Sequence, residues 1–106
     1  MKLGELHNQA MDLAEKAIFA RKYGKDSGQR LFRRAFEKER QAALLAVSEE
    51  APEPTRSILL KSAANLALEC DEPRQAEQLI GHALAGDPPD EIAMNCADSS
   101  ETLALR

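Results

Sequence analysis

PTRSILLKSAANLALECDEPRQAEQLIGHALAGDPP, residues 54–89, is the stretch that decides the fold. Leu59, Leu60, Ala63, Ala64, Ala67 and Leu68 recur at the three- and four-residue steps that gather side chains on one helix face. Cys70-Asp71-Glu72 then makes a short acidic turn, and Pro73 suits the first position of a new helix, where no amide hydrogen is needed. Ala76, Leu79, Ile80, Ala83 and Leu84 repeat the pattern until Gly86 stops it. A turn this short makes the two helices antiparallel neighbours, and an alanine facing an alanine is what a close crossing requires.

Upstream the same grammar recurs. Leu6, Ala10, Leu13, Ala17 and Ala20 mark a helix over about 3–23, which Gly24 can end in the left-handed conformation. Asp26 or Ser27 can cap the next helix, expected over about 27–48, with Leu31, Phe32, Ala35, Phe36, Ala42, Ala43 and Ala46 inward. Glu49-Glu50-Ala51-Pro52-Glu53-Pro54 breaks it, since proline lacks the donor and disfavours helix in the residue before it. The third and fourth helices are expected over about 54–70 and 73–86. Downstream, Asp87-Pro88-Pro89-Asp90-Glu91 begins a short helix, about 88–96, before a loose tail.

Leu60, Ala64, Ala76, Ala83 and Pro88 together resemble a tetratricopeptide repeat. Leu13, Ala17 and Ala20 stand, relative to the following turn, where Leu60, Ala64 and Ala67 stand, and Ala35 and Ala42 repeat the step of Ala76 and Ala83. The spacing from Ala17 to Ala64 is 47 residues, longer than the family period of about 34, so the second helix is the longer one. The resemblance covers residues 6–92. It implies one all-α domain over 1–106, two stacked antiparallel hairpins in a right-handed superhelix plus a short C-terminal helix or tail. A generic four-helix bundle is the competing architecture.

Composition points the same way. Apolar positions are mostly alanine and leucine, strong helix formers, whereas the β-branched and aromatic residues that strands favour are scarce. The longest apolar run, Ala42 to Val47, is far short of the ~20 residues that span a bilayer. Met1-Lys2-Leu3-Gly4-Glu5 turns polar too soon for a secretory signal, and Cys70 and Cys96 stand apart from any ligand spacing. Reduced thiols, a cytoplasmic location and no membrane partner are the expectations. Net charge is −4 but uneven: +2 over residues 1–50 and −6 over 51–106.

Four residues are candidates for binding. Lys61 and Asn65 share a face of the third helix, the one left free by Leu60, Ala63, Ala64 and Ala67. An ammonium and an amide can both donate to a carboxylate, and the resemblance implies that this face lines a groove for a peptide. Arg30 and Arg34, one turn apart in the basic cluster from Arg21 to Arg40, could receive an acidic peptide or a phosphate. The bland reading of both pairs is a solvated face, with Arg33 partly neutralised by Glu37. Nucleic acid is not expected, because Phe32 and Phe36 fall on the buried stripe and the pI is near 5.2.

Catalysis and cofactors are not expected either. His7 and His82 have no metal ligand at the right spacing, and no phosphate loop or hydrolase motif occurs. Glu49, Glu50 and Glu53, like Asp87, Asp90 and Glu91, sit where helix capping explains them. The expected function is a protein-interaction module that binds a peptide or helix of another protein, acidic in character. The alternative is an assembly subunit that self-associates, a homodimer formed through Leu66, Leu68, Leu79, Ile80 and Leu84 and helped by the opposite charge of the two halves.

Overall fold

The structure, a computed structural model, describes residues 2–86. They form an all-α domain of four helices: α1 (Leu3–Lys22), α2 (Ser27–Ser48), α3 (Thr55–Glu69) and α4 (Pro73–Ala85). The expected short helix and tail, and with them Cys96, lie outside the described residues.

Each helix packs against the next along the chain, α1 on α2, α2 on α3 and α3 on α4. The interfaces are built from small side chains: among the described residues 12 of the 22 buried apolar ones are alanine, so backbones approach closely. Phe32, Phe36 and Leu60 supply the bulk between them. The expected stripe of α1 is buried throughout. On α2, Leu31 is only half-buried, and Glu39 and Gly28 take places in the core instead. A Cβ at Gly28 would stand 3.3 Å from the Arg21 amide nitrogen, which shows how closely the start of α2 approaches the backbone of α1.

The first three helices stop in the same way. Gly24, Glu50 and Asp71 adopt φ of 67°, 52° and 57°. At each, the next amide reaches back to a carbonyl in the last turn: Lys25 to Ala20 at 2.8 Å, Ala51 to Ala46 at 2.9 Å, Glu72 to Ala67 at 2.9 Å. This is the Schellman arrangement, in which a left-handed residue satisfies carbonyls that the helix leaves unpaired. Pro73 opens α4 as expected, whereas the side-chain caps expected on α2 and α3 are not made. Neither Asp26 nor Ser27 makes a side-chain cap on α2, and Glu53 does not cap α3 but lies 3.6 Å from Arg56.

Long-range polar contacts fasten the two ends. Arg21 pairs with Glu69, Gln29 donates to the Glu69 carbonyl at 3.2 Å, and Arg33 reaches both Glu72 and the Cys70 carbonyl at 3.2 Å. Arg33 therefore serves the α3–α4 turn, where a pair with Glu37 had been expected. At the other end Arg56 donates to the His82 carbonyl at 2.7 Å, satisfying an acceptor in the last turn of α4.

Candidate functional site

A polar contact joins three helices, α1, α2 and α3. Glu39 lies one turn beyond Ala35 and Phe36 on the inward stripe of α2, and its side chain is fully buried. His7 of α1 places Nδ1 2.9 Å from each of its carboxylate oxygens, and Ser62 of α3 donates its hydroxyl to Oε2 at 2.6 Å. A carboxylate facing Nδ1 is an acceptor, so Nδ1 carries the hydrogen and Nε2 is left for a further partner. The histidine side chain keeps 33% of its surface exposed, so the imidazole links the buried charge to solvent. The carboxylate sits between the other two groups. Ser62 is thus a donor to Glu39, and no contact with His7 activates its oxygen as a nucleophile.

His7 opens onto a cleft of about 270 Å³ between the first halves of α1 and α3. Leu3, Gly4, His7 and Asn8 form one wall, and Thr55, Ile58 and Leu59 the other. Ile58 leaves 47% of its surface exposed there, which gives the cleft an apolar side chain open to solvent. Apolar walls with a few hydrogen-bonding groups are the usual make-up of a binding cleft.

Among the residues singled out from the sequence, Lys61 is half-buried and Asn65 exposed on α3. They follow Ile58 at three- and seven-residue steps, so they extend the same helix face beyond the cleft. Arg30 and Arg34 are exposed on α2. Arg34 lines a different cleft, about 380 Å³, between α1 and α2, together with Gln9, Asp12, Leu13, Lys16 and Lys38. The two candidate pairs therefore belong to separate places on the surface.

Several expectations change. Leu66, Leu79 and Ile80, offered as surplus for a dimer, are buried within the chain, and of that set only Leu84 is exposed. Among the described residues the most exposed large apolar groups are instead Ile18, Phe19 and Tyr23 at the end of α1. His7, read as isolated, has a carboxylate partner 32 residues away. Glu39 was legible: it keeps the three- and four-residue step of Phe32, Ala35, Phe36, Ala42 and Ala43, a register that points inward whatever the residue type.

Cys70 is buried and free, and burial pushes its thiol above the ordinary value of 9.0 while the Arg33 charge pulls the other way. Among the described residues no group of three or more His, Cys, Asp or Glu converges as a metal site would, and no helix is long and apolar enough to cross a membrane. Comparison with known proteins finds no matching family model, curated protein or solved structure.

Proposed function

We propose that this chain is an interaction module of the tetratricopeptide-like kind. Its helices form two antiparallel hairpins stacked in a right-handed superhelix, and the face shared by α1 and α3 receives a peptide or helix of another protein. The observation that carries this reading is the cleft between α1 and α3, with its exposed Ile58 and its half-exposed His7. In a stack of two hairpins the first helix of each lines one face, and α1 and α3 are those helices. An apolar side chain of the partner enters beside Ile58, while Lys61 and Asn65 donate to its carbonyls or carboxylates. The Glu39 carboxylate contributes by fixing the imidazole, so that little ordering of His7 remains to be done on binding.

A fluorescence-polarisation screen of a random peptide library against the full chain tests the reading. Peptides selected by the wild type should bind the Ile58→Asp and Lys61→Ala/Asn65→Ala variants at least about tenfold more weakly, with the thermal melt unchanged. Equal binding by wild type and variants would remove this face from the function.

A further inference from the structure

We infer that the opposite side of α1 carries a second docking surface, which takes an acidic segment of a partner protein bearing a bulky apolar residue. Asp12, Lys16, Phe19 and Tyr23 follow one another at steps of four, three and four residues and so share one face of α1. The first two line the cleft against α2, and the last two continue that line towards the helix end. In the cleft Asp12 is occupied by Lys16 at 3.0 Å, whereas Arg34 and Lys38 have no acidic partner among the described residues. The site thus offers free cationic donors above the apolar floor made by Leu13.

Beyond it, Phe19 and Tyr23 are 56% and 60% exposed, and their rings rest on each other with centroids 4.6 Å apart. The ammonium of Lys25 lies 5.9 Å from the first ring and that of Lys22 5.9 Å from the second. A tilted pair of touching aromatic rings fringed by lysines presents an apolar platform with a positive rim, and exposed apolar surface with a polar rim marks interaction sites. The aromatic and basic residues do interleave on an exposed face, through Phe19 and Tyr23 and not through the buried Phe32 and Phe36.

Charge selects the occupant. A carboxylate-bearing segment complements Arg34, Lys38, Lys22 and Lys25 and responds to the local field within a Debye length. A long polyanion also meets the repulsion of a chain whose net charge is −4. An acidic peptide with a central aromatic or leucine satisfies both halves of the surface: carboxylates on the cleft, the apolar side chain on the rings.

The probe is a short fluorescein-labelled peptide with Glu–Asp runs on either side of a Phe-Leu pair, titrated into the full chain at physiological salt. Binding is expected, weakening as salt rises, and Arg34→Glu and Phe19→Ser should each reduce it at least about tenfold. Arg74→Glu, the same charge change at an exposed position on α4, should leave it unchanged; a loss on Lys61→Ala in place of Arg34→Glu would assign the peptide to the other face and overturn the inference. That last comparison separates this surface from the proposed groove. Thermal melts of each variant distinguish lost binding from lost fold. The inference is overturned if the wild type does not bind the peptide, or if Arg74→Glu weakens it as much as Arg34→Glu. It is likewise overturned if an oligouridylate binds in the peptide's place, or if light scattering shows a dimer that Phe19→Ser dissolves.

Discussion

At the scale of single residues, Glu39 sets the sharpest condition on the fold. A fully buried carboxylate is tolerated only with donors at hand, and its donors are His7 and Ser62. Removing one partner strands the charge. His7→Ala should cost about 2–3 kcal/mol in urea unfolding, less than the roughly 3–5 kcal/mol of breaking a fully buried pair, because the imidazole is one-third exposed. Replacing both partners together, Glu39→Leu with His7→Phe, should be close to neutral, since an apolar pair carries no desolvation penalty. A cycle in which the double variant is as damaged as the sum of the singles would show that the contact is not a coupled unit. Cys70 gives a second test. Its thiol is raised by burial, so above the ordinary value of 9.0 the unfolded chain releases a proton that the folded chain retains. Stability from this group is complete below that pH and is lost as pH rises towards the folded value. A Cys70→Ala variant should show a shallower decline on the alkaline side, and thiol labelling of the native wild type should be slow compared with the unfolded chain.

At the scale of helices, the repeated left-handed ending is the most consequential device. Asp71 tolerates that conformation better than Glu50 does, because a short polar side chain can bond locally. Glu50→Gly should therefore raise stability by up to about 1 kcal/mol, read as a higher urea midpoint with an unchanged slope. No change or a loss would mean that the glycine's extra freedom in the unfolded chain offsets the relief. The four helices themselves were legible to within about a residue, for a clear reason. Alanine and leucine at helical spacing leave no other period to follow, and Gly24, Pro52, Pro54 and Pro73 punctuate them. What could not be read is what crosses between helices. The meeting of His7 with Glu39, or of Arg33 with Glu72, depends on which turns of two helices come level, and side-chain spacing within one helix says nothing of that. The cleft at Ile58 was hidden for the same reason. Lys61 and Asn65 could be placed on a face, but the neighbour of that face could not be derived from their spacing.

At the scale of the molecule, the uneven charge of the two halves is partly used internally: Arg21–Glu69 and Arg33–Glu72 join the basic first half to the acidic second. These pairs are solvent-exposed and contribute little each, so raising salt should move the melting temperature by only a few degrees. They also leave less opposite charge for pairing two copies. Light scattering across concentration and salt discriminates between the interaction module and the self-associating subunit. A mass that stays monomeric supports the former, and one that doubles at low salt supports the latter. The order of packing, each helix on the one before it, has a further consequence for how the chain reaches this state. Helices that pack together in such an arrangement are mostly consecutive in the chain, so each interface can start to close at a short connecting loop and grow away from it. The search for the native arrangement is then local. The described domain should fold in microseconds to milliseconds, as low-contact-order helical proteins do, and α4, the shortest helix, which among the described residues packs mainly on α3, should be the first element to exchange its amide hydrogens with solvent.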